Sequence, residues 1–181
     1  MFKPLLVFDC DGVLSATCGT SLRRTQNPSK ALYPQTKSLI EYLIRNGYKV
    51  GIATHGVGNS VVLTELGILR GSICQRYGGD DNNRVLRLAK IPCGPHSIGS
   101  ICDISYYHSG SSKDEHIEHI CKYYNVADKR QVILFDDRQE VLSKTADVMG
   151  VLVDPATGVT LNQIQESLIQ YHEQRGPLYS C

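Results

Sequence analysis

The sequence predicts an α/β fold, a doubly wound parallel sheet with at most a small insertion in place of a cap domain. Two observations predict it. Short apolar runs alternate with stretches of helical period, an order that builds a parallel sheet through crossover helices. Two of those runs also deliver aspartate pairs at their carboxyl ends: Asp9/Asp11 after Leu5-Leu6-Val7-Phe8, and Asp136/Asp137 after Ile133-Leu134-Phe135. Sheets of this kind bind ligands beyond that edge.

The first strand rises from Leu5 and ends in Asp9-Cys10-Asp11-Gly12, where Gly12 lets the chain turn away. Alternation along an extended strand puts Asp9 and Asp11 on one side and Cys10 on the other. A flap rich in Ser, Thr, Gly, Asn and Pro follows, over about residues 12–33. Pro34 opens a helix with Leu39, Ile40, Leu43 and Ile44 as its apolar stripe, and Asn46-Gly47 closes it. A second strand over residues 48–53 ends at Thr54-His55-Gly56. Asn59 or Ser60 caps a helix reaching Leu66 and stopped by Gly67, and residues 72–77 read as a third strand.

Residues 78–112 hold no lasting period and read as one modest insertion, with a short helical piece over 84–89. Ser112 with Glu115 then forms a capping box, and Ile117, Ile120, Cys121 and Tyr124 give the buried face of the helix it starts. His116 and His119 are read as exposed positions on that helix. Residues 131–135 form a strand, a helix starts at Gln139, and residues 149–153 form the last strand. Thr160 with Gln163 starts a final helix whose Leu161, Ile164, Leu168 and Tyr171 face inward.

A chain of 181 residues suits a single domain with a sizeable core. The tail at 176–181 shows no stop signal, which fits a piece of a longer protein. A net charge of +1 gives no general attraction to nucleic acid or to an acidic membrane surface. The amino-terminal apolar run stops at Asp9, too soon for a signal-peptide core or a membrane span. Seven cysteines, an odd number with no C-x-x-C pair, read as reduced thiols in the cytoplasm or another reducing compartment.

The chemistry lies in an order: Asp9/Asp11, Thr54, Lys113, Asp136/Asp137. Crowded carboxylates need a cation or a proton between them, so each pair suits a magnesium site or a nucleophile beside an acid/base. Thr54 and the amides of His55 and Gly56 offer donors for phosphate oxygens. Lys113 adds its charge to the positive end of a helix.

In this order the sequence resembles the haloacid dehalogenase superfamily of aspartate-nucleophile phosphohydrolases. F-D-C-D-G-V corresponds to its first motif, I-A-T-H-G to the second, Lys113 to the third and I-L-F-D-D-R to the fourth. The resemblance implies a Rossmann-like core, magnesium as cofactor and a phosphatase that passes through an aspartyl phosphate. It implies that Asp9 attacks phosphorus while Asp11 protonates the leaving group and then activates water. It further implies that Asp9, the Asp11 carbonyl, Asp136 and Asp137 hold the metal, and that Thr54, His55, Gly56 and Lys113 grip the phosphoryl group. About forty residues separate Asp11 from Thr54 and about sixty separate Thr54 from Lys113, too few for a full cap domain at either place. The chain is therefore similar to the capless magnesium-dependent phosphatase subgroup, whose open sites admit phosphoproteins carrying phosphotyrosine or phosphoserine. A small-metabolite phosphatase (sugar or nucleotide) of the same fold is the alternative, and a non-catalytic phospho-binding or receiver-like switch module is another.

Two rival sites are weaker. Cys18 and Arg24 match the C-x5-R pattern of cysteine phosphatases, though no clear strand precedes them and such matches arise by chance. Cys93, His96, Cys102 and His108 are residue types zinc accepts, in an unfamiliar spacing.

Overall fold

Leu5, Leu6, Val7 and Phe8 are buried because β1 (Leu5–Phe8) is an inner strand covered on both faces. The computed structural model describes residues 3–16, 32–54, 85–92, 101–108 and 112–175. Its elements are β1, α1 (Thr36–Arg45), β2 (Lys49–Thr54), β3 (Val85–Pro92), β4 (Ile101–His108), α2 (Lys113–Tyr124), β5 (Val132–Asp136), α3 (Gln139–Lys144), β6 (Met149–Leu152) and α4 (Leu161–Gln174), with a 3-10 turn at Lys129–Gln131. One sheet runs β3-β4-β2-β1-β5-β6. All neighbouring strands in it are parallel except the β3–β4 pair.

Strand alternation divides the core in two. Leu6, Phe8, Val50, Ile52, Ile133 and Phe135 pack with Leu39, Ile40 and Leu43 of α1 and with Ile164 and Tyr171 of α4. Leu5, Val7, Ala53, Val132 and Leu134 face the other way, onto Ile117, Ile120 and Cys121 of α2, with Leu142 of α3 alongside. Gly51 belongs to that second face: a Cβ there would come within 2.7 Å of Ile120 Cγ2, so the strand needs glycine for α2 to seat. α1 carries the chain from β1 to β2 on one face, and α2 carries it back past β1 to β5 on the other. Opposite directions on opposite faces give crossovers of one hand, as a doubly wound sheet requires. The order therefore reverses between β1 and β5, and the crevice at their carboxyl ends is where such sheets bind ligands.

Several sequence expectations change. Of the piece expected to be helical over 84–89, residues 85–89 lie in β3, where pairing with all eight residues of β4 overrides local helix preference. β4 itself is a parallel neighbour of β2, so much of the stretch read as an insertion is sheet. His116 is fully buried, because it follows Lys113 by three residues and shares its inward face. His119, expected to be exposed, is only partly so, and Tyr124 is only partly buried. Leu161 is 39% exposed at the start of α4, and Ser167 takes the inward place instead. The capping box at Thr160/Gln163 forms in full, and Ser112 accepts a hydrogen bond from the Glu115 amide at 3.3 Å. The expected helix ending at Leu66 and the strand at 72–77 lie outside the described residues. Among the described residues no helix is long and apolar enough to cross a membrane.

Candidate active site

Asp9 is the first residue beyond β1, yet its amide still bonds Phe135 O at 2.9 Å. That bond carries the β1–β5 ladder one step further and sets Asp9 beside Asp136, the last residue of β5. Both are buried. Burying two carboxylates side by side is costly unless a cation joins them.

Lys113 is that cation. It is 4% exposed at the first turn of α2, which Ser112 caps. Its Nζ lies 2.9 Å from Asp9 Oδ1 and 3.1 Å from Asp136 Oδ2, and it donates to Ala53 O at 2.7 Å. Strand β2, helix α2 and the two aspartate strands thus converge on one ammonium. On the far side of Asp136, Oδ1 accepts the Arg138 amide at 3.0 Å, and the half-exposed Arg138 Nε stands 3.9 Å from the same oxygen.

Gly12 brings the Asp11 loop against this pair. It has φ +78, and a Cβ added there would fall on the Asp137 carboxylate. Position 12 therefore needs glycine for its backbone conformation and for its closeness to Asp137. Asp11 stands within electrostatic reach of Asp9 and Asp137, with Arg138 and Lys113 opposing them.

The carboxylates resist ionising together. Burial raises the Asp9 pKa above its ordinary value against the pull of Lys113, and Asp136 adds to the rise. Burial followed by Asp9 and Asp137 raises Asp11. Burial followed by Asp136 and Asp9 raises Asp137. Four carboxylates face two cations here, and a divalent ion would offset the excess.

The residues fit such an ion. Asp9, Asp136 and Asp137 each offer an oxygen, and these oxygens lie within 4.8 Å of one another. Asp136 Oδ2 is buried and accepts no hydrogen bond among the described residues, its contact with Lys113 being ionic and poorly aligned. An all-oxygen anionic donor set suits magnesium or a similar hard cation.

No family model and no curated protein matches the chain. A solved crystal structure aligns with 96% of this chain and 81% of its own, at 14% identity and a TM-score of 0.48.

The other expected residues fall out unevenly. Thr54 is buried at the end of β2, beside the site, and hydrogen-bonds the Cys10 thiol. That thiol is fully buried in the α1-side core, and burial with Asp9 and Asp11 raises its pKa well above the usual value. Cys10 is therefore no nucleophile despite its place between two aspartates. His55, Gly56, Cys18 and Arg24 lie outside the described residues. So do Cys93 and His96 of the zinc candidate. Its other two members, Cys102 and His108, both sit in β4, where six residues of strand span about 20 Å, too far for one ion. Sequence reasoning missed the Ala53 carbonyl and the Arg138 amide, since backbone groups leave no residue signature.

Proposed function

We propose that this protein is a magnesium-dependent phosphomonoester hydrolase working through an aspartyl phosphate, as the resemblance to the haloacid dehalogenase superfamily implies. One observation carries the reading: a buried Lys113 ammonium bridging Asp9 and Asp136, with Asp137 close by and Asp11 within electrostatic reach, at the carboxyl edge where the strand order reverses.

Lys113 holds Asp9 Oδ1, which fixes the carboxylate and leaves its second oxygen to act. That oxygen attacks phosphorus, and the bond from phosphorus to the leaving oxygen breaks. Asp11, its pKa raised, supplies the proton that the leaving oxygen takes up. A water then attacks the same phosphorus, Asp11 accepts its proton, and the bond to Asp9 breaks to release phosphate. A magnesium ion held by Asp9, Asp136 and Asp137 would offset the charge of the phosphoryl group. Lys113 spends donors on Asp9 and Ala53 O, which makes it first the holder of the nucleophile and then a phosphate ligand.

Protein substrates remain the preferred class. The residues of β3 and β4 are committed to the sheet, leaving less chain for a lid over the site. Hydrolysis of nitrophenyl phosphate, with magnesium and with excess chelator, tests the reading. Turnover should require the metal and vanish in Asp9→Asn; full turnover in chelator, or in that variant, would overturn it.

A further inference from the structure

The loop carrying Asp11 is stitched to residues far along the chain. Within it, Cys10 O accepts the Leu14 and Ser15 amides at 2.9 Å each and Ser15 Oγ at 3.1 Å. Gly12 N donates to Ser15 O at 2.7 Å as well, so the loop is one bonded unit whose placement follows from what holds residues 13 and 14. The anchors come from outside. Leu14 O accepts the Tyr33 amide at 3.1 Å and the buried Thr36 Oγ1 at 2.8 Å, and Val13 O accepts the Val159 amide at 2.9 Å.

These anchors are themselves locked by the turn at 154–159. Asp154 Oδ1 accepts the Ala156 amide at 2.8 Å, and Asp154 O accepts the Gly158 amide at 2.9 Å. Tyr33 Oη donates to Pro155 O at 2.5 Å, and Gln35 Nε2 donates to Thr157 O at 2.8 Å. Gly158 has φ +69 and lies so close that a Cβ would overlap the Tyr33 ring. The turn is also tied to the metal side of the site, since the Val153 amide bonds Asp136 O at 3.0 Å. Burial, with Asp137 and Asp154, raises the Tyr33 phenol's pKa, so it stays a donor at neutral pH.

We infer that Tyr33 and Gly158, through the turn at 154–159, and Thr36, directly at Leu14 O, are positioning residues that set the Asp11 carboxyl at its working distance from Asp9. None of the three needs to touch substrate. The inference rests on the proposed hydrolase reading, in which Asp11 protonates the leaving group. A misplacement of about 1 Å in an acid/base can cost on the order of a hundredfold, whereas attack by Asp9 is unaffected.

The test compares two substrates in the full chain: nitrophenyl phosphate, whose leaving group needs little protonation, and glycerol phosphate, whose alkoxide needs it. Gly158→Ala should lower kcat on glycerol phosphate about tenfold more than on nitrophenyl phosphate, with Thr36→Val and the milder Tyr33→Phe following in the same direction. In an Asp11→Asn background the same changes should add almost nothing. Equal losses on both substrates, or undiminished losses in that background, would overturn the inference and leave the three as structural residues. Tyr33→Phe keeps the ring, so it decides the matter if Gly158→Ala does not fold. Wild-type protein inactive on both substrates would overturn the hydrolase reading and this inference with it, whereas an active wild type with a flat substrate response would overturn the positioning role alone.

Discussion

Lys113 Nζ and Asp9 Oδ1 lie 2.9 Å apart although 104 residues separate them in the chain. Lys113 is a buried cation, and two buried carboxylates depend on it. Its loss strands both charges away from water. Lys113→Met in metal-free protein should therefore cost about 3–5 kcal/mol, the usual penalty for breaking a buried pair. Urea unfolding in chelator measures it, and a change under about 1 kcal/mol would mean that water reaches the pair.

The raised carboxyls of Asp9, Asp11 and Asp137 give stability a sign with pH. A group whose pKa is higher folded than unfolded contributes stability below its unfolded value and loses it as pH rises through the folded value. All three start from an ordinary value of 3.8 and are raised. Asp137→Asn, in chelator, should thus melt higher than wild type at pH 7, and the gap should close on acidification toward that ordinary value. Saturating magnesium at pH 7 should stabilise the wild type, by about 2.7 kcal/mol at a hundred times its dissociation constant. A gap that widens in acid would contradict the carboxylate crowding.

Much of this was legible beforehand, for local reasons. Strand β1 and the α1 stripe follow from apolar period, and Asp9, Asp11, Asp136 and Asp137 mark strand ends that the structure brings to one edge. Lys113 was legible as a helix-start charge and as the counterpart of the third motif, not as a buried bridge between Asp9 and Asp136. The capping box at Ser112 places it at a helix start but does not show that packing of α2 on β2 turns it inward. His116 was misjudged for the same reason, since α2 buries polar residues on a face that apolar period alone does not mark. β3 and β4 were invisible because their stability comes from pairing with each other and with β2. The anchors on Val13 and Leu14 are largely backbone bonds, which no residue pattern announces.

Gly12 joins a left-handed backbone to a close approach. Gly12→Ala must strain φ +78 and push the Asp137 carboxylate aside. The backbone term alone costs about 1–2 kcal/mol. Magnesium affinity should fall together with stability, readable as a weaker dependence of melting temperature on magnesium. Unchanged magnesium dependence would place Asp137 outside the metal site.

Tyr171 supplies a control remote from the site. Its hydroxyl is buried with no hydrogen-bond partner among the described residues, while its ring packs in the core and under Arg175. An unpaired buried hydroxyl costs about 1–3 kcal/mol, so Tyr171→Phe should leave the melting temperature unchanged or raise it. A clear fall would reveal a partner for that hydroxyl.

The account turns on Asp9 forming a covalent bond to phosphorus. Wild-type protein turning over nitrophenyl phosphate with magnesium can be quenched, reduced with borohydride and digested for peptide mass spectrometry. Borohydride converts an acyl phosphate to an alcohol, so the tryptic peptide spanning residues 1–23 should carry homoserine at position 9, and only when substrate and magnesium are both present. Turnover with no modified Asp9, or with phosphate trapped on a cysteine or histidine, would contradict the account.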